Sequence, residues 1–146
     1  TDGYRELAEV MKNPPANVKF LGIVPRSDMN DIFNLSDVLF MPSYNELFPM
    51  SILEAVNVHR PLVLRDLELY EDILFHDYME GTNNDQFVHA LRVLKEDPQE
   101  YRRWSKAAEK ISDFYSREHV LQIWRDFYTR VYQEQKNKKH KKKNKS

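Results

Sequence analysis

Glu46 and Glu54 stand eight positions apart in the stretch Pro42-Ser43-Tyr44-Asn45-Glu46-Leu47-Phe48-Pro49-Met50-Ser51-Ile52-Leu53-Glu54-Ala55. Proline is favoured in a first helical turn, so the pattern predicts a helix from Pro49 to about Val58, with Ile52, Ala55 and Val56 facing inward. The backbone amides from Leu47 through Ser51 are then the free donors of a helix start, a natural place for a phosphate. Glu54 lies five residues past Pro49, which is about 7–8 Å along the axis at the usual rise. A carboxylate at that distance from a diphosphate can reach a ribose and accept from both of its hydroxyls. Glu46, nearer the amides, can accept from hydroxyls on whatever the phosphate carries. The plainer alternative is a pair of solvated glutamates, because charged side chains usually stay in water.

The flanking elements must put that helix start where a ligand can reach it. Val38-Leu39-Phe40-Met41 is continuously apolar, the pattern of a strand covered on both faces, and it stops at Pro42-Ser43. Leu62-Val63-Leu64 reads as another buried strand, and Val18-Lys19-Phe20-Leu21 as a short one ending at Gly22. Tyr4, Leu7, Ala8 and Met11 predict a helix that stops at Asn13-Pro14-Pro15. Ser27 or Asp28 is a candidate cap for a short helix through Met29, Ile32, Phe33 and Leu35. A further short helix is expected over residues 69–75. Strands alternating with helices predict parallel strands joined by crossovers, and ligands bind such sheets at the carboxyl ends of the strands. Glu46 falls in one such loop.

Beyond Gly81 the chain reads as helical. Asn83 or Asn84 can cap a helix bearing Phe87, Leu91 and Leu94. Asp97-Pro98 opens one bearing Tyr101, Trp104, Ala108 and Ile111, and Ser116 a long one bearing Val120, Ile123, Trp124, Phe127 and Val131. Trp104, Trp124, Phe127 and Tyr128 are expected to pack in the core. Three strands are few for a doubly wound sheet, so further strands are expected upstream of Thr1 and the chain reads as a segment of something longer.

The 146 residues, 41% hydrophobic and 12% aromatic, suit one globular domain. The net charge of -1 hides an asymmetry. Residues 136–146 carry seven lysines and no acid, which leaves the first 135 residues at -8. That division does not fit a uniformly basic nucleic-acid binder. Without cysteine there is no disulfide framework, thiolate metal site or cysteine nucleophile. The five histidines show no metal-binding spacing, and three glycines (Gly3, Gly22 and Gly81) cannot build a glycine-rich dinucleotide or P-loop motif. No apolar run approaches a membrane span and no leader pattern opens the chain, so it is expected to be cytoplasmic.

The stretch around Glu46 and Glu54 resembles the E-x7-E signature of retaining nucleotide-sugar glycosyltransferases of family 4, which have the two-domain GT-B fold. Ala55-Val56-Asn57-Val58-His59-Arg60-Pro61-Leu62-Val63 is similar to that family's E-A-x-A-x-G-x-P-V-V run. Asn17-Val18-Lys19-Phe20-Leu21-Gly22 resembles its N-V-x-F-x-G strand, and Ser36-Asp37-Val38 its A-D-V strand start. Asp97-Pro98 and the helix with Trp124, Tyr128 and Tyr132 match its usual ending. The resemblance covers roughly residues 4–135. It implies a partial C-terminal Rossmann-like domain over residues 1–135, with residues 136–146 as a disordered lysine-rich tail.

By this resemblance Glu54 binds the donor ribose and Glu46, the catalytic candidate, lies beside the transferred sugar. Leu47, Phe48, Pro49 and Met50 form the backbone turn around sugar and diphosphate, and Gly22, Ile23 and Val24 lie where the nucleobase is cradled. The reaction implied is transfer of a hexose, with a UDP-sugar favoured, to an acceptor hydroxyl with retention, the acceptor being a membrane glycolipid or a cell-surface polysaccharide precursor. Neither metal nor cofactor is implied, the nucleotide-sugar being a substrate.

The family usually has glycine where Leu47 and His59 stand; the second position often needs positive φ. Its phosphate-binding Arg and Lys and its acceptor site belong to segments outside these 146 residues, so the chain alone is expected to be inactive. Asp66-Leu67-Glu68 has the composition of the acidic metal motif of other glycosyltransferases, but in so acidic a chain it reads as a loop or capping cluster. In the implied fold the terminal helix returns toward the other domain, which would leave part of its aromatic stripe exposed. The lysine tail has three readings: a solubilising end, a contact with anionic lipid at the inner face of the cell membrane, or non-specific nucleic-acid binding. A non-catalytic Rossmann-like interaction module is the rival reading.

Overall fold

The computed structural model describes the backbone of residues 2–143 and the side chains of residues 5–138. The chain divides into two compact units, residues 1–32 and 33–146. The first holds α1 (Asp2–Lys12), a 3-10 turn (Arg26–Asp28) and the start of α2 (Met29–Leu35), within which the division falls. The second continues with β1 (Leu39–Met41), α3 (Met50–Asn57), β2 (Leu62–Arg65), α4 (Glu68–Leu74), β3 (Met79–Gly81), α5 (Asn84–Glu96), α6 (Pro98–Phe114) and α7 (Arg117–Lys143).

The sheet is parallel in the order β1-β2-β3, with Phe40 opposite Val63 and Val63 opposite Met79. Parallel neighbours need crossovers, and α3 and α4 supply them. In β2, Leu62, Val63 and Leu64 are fully buried, as a central strand covered on both faces requires. Alternation along the strand sends Val63 into a cluster with Phe87, Ala90 and Leu94 of α5. Helix α3 brings Ile52, Ala55 and Val56 inward and packs on β2 and on α6, which contributes Ala107, Ala108 and Ile111.

Helix ends follow side-chain chemistry where an acceptor is available. Asn83 accepts from Gln86 N at 3.0 Å, and Asp97 accepts from Gln99 N at 2.7 Å and Glu100 N at 3.2 Å. The Ser116 hydroxyl accepts from His119 N at 3.3 Å. Helix α3 ends with Arg60 N donating to Ala55 O at 3.1 Å and His59 N to Val56 O at 2.9 Å, while His59 takes φ +56°. This is the left-handed termination that glycine ordinarily fills, as expected at that position.

Several expectations are corrected. Val18-Lys19-Phe20-Leu21 forms no strand. An isolated strand has nowhere to send its backbone hydrogen bonds, and among the described residues the sheet holds only β1, β2 and β3. Ser27 and Asp28 lie in the 3-10 turn that follows Pro25 and leads into α2, and the Ser27 hydroxyl donates to Asp28 Oδ1. β1 is an edge strand, so Phe40 is half-exposed rather than covered on both faces. Pro49 precedes α3 as its N-cap rather than opening its first turn. β3 was not expected; it is three residues long with a charged residue, Glu80, at its centre. Trp104 is partly buried against the α5 cluster, but Trp124, Phe127 and Tyr128 are not core residues. They lie exposed on α7 among the described residues. That helix continues through Lys143. Lysine is a good helix former, and cations near a helix carboxyl end oppose its dipole.

Candidate functional site

The loop of residues 42–49 leaves the carboxyl end of β1 and turns into α3. Arg65, the last residue of β2, holds its start. Its Nε donates to Pro42 O at 2.9 Å and its Nη1 to Thr82 O at 2.9 Å, and its guanidinium lies 3.8 Å from the Tyr44 ring centroid. One side chain thus ties together the segments that follow all three strands. The Ser51 hydroxyl contacts Met41 Sδ at 3.7 Å and fixes the first turn of α3 to the end of β1. The first bond of the helix runs from Ile52 N to Pro49 O at 3.1 Å. Met50 and Ser51 precede it, so their amides lie where no intrahelical acceptor exists; Pro49 has no amide hydrogen.

Glu46 is half-buried in this loop. Its nearest electrostatic consequence falls on Tyr70 of α4, whose hydroxyl is pushed up to about 12, first by burial and then by the Glu46 charge. The Tyr70 hydroxyl is buried without a hydrogen-bond partner, and its ring packs edge-on to Tyr78 at 5.8 Å. Tyr78 repeats the pattern: its buried hydroxyl is pushed up to about 12 by burial, then by Glu80, Asp66 and Glu71.

Glu54, also half-buried, lines a cleft of about 410 Å³ between α3 and the junction of α6 with α7, where Asn57, Ser112, Tyr115, Ser116 and Arg117 face it. Tyr115 is held by its hydroxyl, which donates to Ile73 O at 2.9 Å, and burial raises its pKa. The Phe48 ring meets Tyr115 edge-on at 5.7 Å, which links the loop to the wall of this cleft. Leu47 and Met50 are largely exposed and Pro49 is half-buried. The cleft walls include Glu54 but not Glu46, so the two carboxylates do not line one cavity. Gly22, with φ +68°, the fully exposed Ile23 and the half-buried Val24 lie in the first unit.

Two larger depressions lie away from this chemistry. One of about 610 Å³ is bounded by His76, Glu80, Asp85, His89 and Trp104, the other, of about 590 Å³, by Asp37, Tyr101 and Arg102. Among the described residues no three acidic or histidine side chains form a metal-binding group. Glu68 begins α4, and neither it nor Asp66 caps the helix through its side chain; Leu67 holds the N-cap position. Sequence reasoning missed Arg65, Tyr70, Tyr115 and Arg117 as neighbours of the site. Only Arg65, a charged residue closing an apolar strand, carried a local signal.

A three-stranded parallel sheet flanked by helices is the arrangement of a Rossmann-like domain of the GT-B kind. The family model for glycosyl transferases group 1 matches residues 4–111, and the chain belongs to that family. It is 43% identical over 128 residues to the alpha-galactosylglucosyldiacylglycerol synthase of Streptococcus pneumoniae (strain ATCC BAA-255 / R6), a match covering 88% of this chain and 34% of the relative. It is 37% identical over 93 residues to the processive diacylglycerol alpha-glucosyltransferase of Acholeplasma laidlawii, covering 62% of this chain and 28% of the relative. The chain therefore spans about a third of the length of the curated relatives it matches.

Proposed function

We propose that this chain is the donor-binding part of a retaining hexosyltransferase that takes its sugar from a nucleotide-sugar, with a UDP-sugar favoured. The acceptor is a hydroxyl of a membrane glycolipid or of a cell-surface polysaccharide precursor, and the glycolipid is preferred because both relatives carry diacylglycerol in their names. The observation that carries the reading is the placement of Glu46 before, and Glu54 within, a helix whose first amides are free at the carboxyl edge of the sheet. In it the diphosphate lies at the start of α3, where peptide hydrogens offset its charge as it leaves. Glu54 accepts from the ribose hydroxyls and Glu46 from the transferred sugar. Leu47, Phe48, Pro49 and Met50 form the turn around sugar and diphosphate, and Gly22, Ile23 and Val24 approach the base. No metal or cofactor takes part.

Acting on a lipid places the protein at the inner face of the cell membrane as a peripheral protein, with the lysine run toward anionic headgroups. No described helix is long and apolar enough to cross a membrane. The test is transfer from UDP-glucose and UDP-galactose to a diacylglycerol-based acceptor by a longer protein containing this chain, with the product anomer read by proton NMR. A product keeping the donor's anomeric configuration is expected, and the 146-residue chain alone should give almost none. Failure of every sugar nucleotide to react, or an inverted product, overturns the reading.

A further inference from the structure

The side chain of Tyr70 is fully buried, and its hydroxyl has no hydrogen-bond partner. Burying a hydroxyl forfeits its bonds to water, and a phenylalanine of the same shape would avoid that loss. A polar group left in that state calls for a reason outside the packing of the core. Tyr78 shares the burial and the missing partner, and the two rings meet edge-on at 5.8 Å. The charges around the two hydroxyls differ. Glu80, Asp66 and Glu71 act on that of Tyr78, whereas among the described residues Glu46 is the carboxylate that acts on Tyr70.

The topology accounts for that neighbour. Strands β1 and β2 are adjacent and parallel, so the loop after β1 and helix α4 after β2 leave the sheet side by side at its carboxyl edge. Tyr70 lies near the start of α4, its amide donating to Leu67 O at 2.8 Å. The two segments are also braced on one ring. Phe48 meets Tyr115 edge-on at 5.7 Å, and the Tyr115 hydroxyl donates to Ile73 O of α4 at 2.9 Å. Glu46 is half-buried in this loop, and among the described residues no ion pair fixes its carboxylate. Burial first, and then the Glu46 charge, push the Tyr70 hydroxyl up to about 12, so it keeps its proton far above neutral pH.

From this juxtaposition we infer that Tyr70 is a positioning residue for Glu46, its hydroxyl donating to the Glu46 carboxylate when the nucleotide-sugar is bound and so aiming that carboxylate at the transferred sugar. The inference deepens the proposed function and rests on its placing of Glu46 beside the sugar. Hydrogen bonds of a reacting site are often unmade before substrate arrives and close in the complex. A bond to a charged acceptor is also stronger than one between neutral groups. The hydroxyl that weakens the free fold then acts in the complex.

The test is initial-rate kinetics of the longer protein containing this chain, with whichever of UDP-glucose and UDP-galactose it uses and a diacylglycerol-based acceptor. Tyr70→Phe should lower kcat about tenfold with the donor KM within about twofold, because the aim of a reacting group matters most in the transition state. Its melting temperature should be unchanged or higher, since no hydrogen bond of the free fold is lost. Tyr78→Phe, with the same burial but other charged neighbours, should leave kcat and KM as they are. In a Glu46→Ala background, which removes the acceptor, Tyr70→Phe should slow transfer no further. An unaltered kcat in Tyr70→Phe, a fall in its melting temperature, an equal loss in Tyr78→Phe, or a full tenfold loss on top of Glu46→Ala overturns the inference. If Glu46→Ala slows transfer while Tyr70→Phe does not, the proposed function stands and this inference alone falls. If Glu46→Ala transfers sugar as fast as the parent, Glu46 leaves the mechanism and the inference falls with it.

Discussion

The guanidinium of Arg65 and the carbonyl of Pro42 are joined across the carboxyl edge of the sheet, Nε donating at 2.9 Å, with the Tyr44 ring stacked on the same group. This pins the loop that carries Glu46 at its start, while Ser51 and Ile52 pin it at its end. Only a planar, forked cation can satisfy Pro42 O and Thr82 O together while keeping a face for Tyr44. Arg65→Lys should therefore behave more like Arg65→Met than like the parent. Both should lose about 1–2 kcal/mol in urea unfolding, from lost hydrogen bonds and stacking. Protease nicking within residues 43–48 should rise in parallel.

His59 stands at φ +56° at the end of α3, a conformation that costs a residue with a Cβ roughly 1 kcal/mol. His59→Gly should raise stability by about that amount, and His59→Val should lower it by more, because a branched Cβ crowds the left-handed region further. Thermal unfolding of the three proteins in one buffer checks the order.

The hydroxyls of Tyr70 and Tyr78 are buried without partners, so each gives up hydration for nothing in return. Tyr70→Phe should be neutral or stabilising by up to about 1 kcal/mol, since no hydrogen bond is lost. The same burial sets an alkaline limit. Both hydroxyls are raised from 10.0 to about 12, so between those values the unfolded chain gives up protons that the folded chain retains. Their contribution is fully present below about pH 10 and is lost as pH rises toward 12. Circular dichroism followed with tyrosinate absorbance should show unfolding in that window, and Tyr70→Phe with Tyr78→Phe should move its midpoint upward.

What the sequence disclosed depended on how local the deciding interaction was. Helix α3 and strand β2 were legible because Ile52, Ala55 and Val56, then Leu62, Val63 and Leu64, mark buried faces by spacing alone. The apolar run of Val18 and Phe20 carries the same signal, but a strand exists only with a neighbour, and spacing does not report one. β3 offers three residues, of which Glu80 is charged, and leaves no pattern to read. The stripe of α7 misleads for the opposite reason: rings at helical spacing look alike whether a core or an outside surface covers them. Around the candidate site the loop after β1 and the helix that follows it were legible. The cleft around Glu54 was not, since Tyr115 and Arg117 arrive from some sixty residues away through the packing of α6 on α3.

Glu46 and Glu54 should separate kinetically in a longer protein that contains this chain. Glu54 lies in a cleft with Asn57, Ser116 and Arg117, surroundings suited to holding a polyhydroxyl group equally in ground and transition states. Glu54→Gln should raise KM for the donor by about tenfold with kcat little changed, the signature of lost uniform binding. Glu46 sits in the loop just before the start of α3, where the proposed function puts the departing diphosphate. Glu46→Gln should lower kcat by about a hundredfold with KM nearly constant, as an interaction made mainly in the transition state requires. Initial rates against donor concentration distinguish the two patterns, and an unchanged kcat and KM in both variants would remove these glutamates from the reaction.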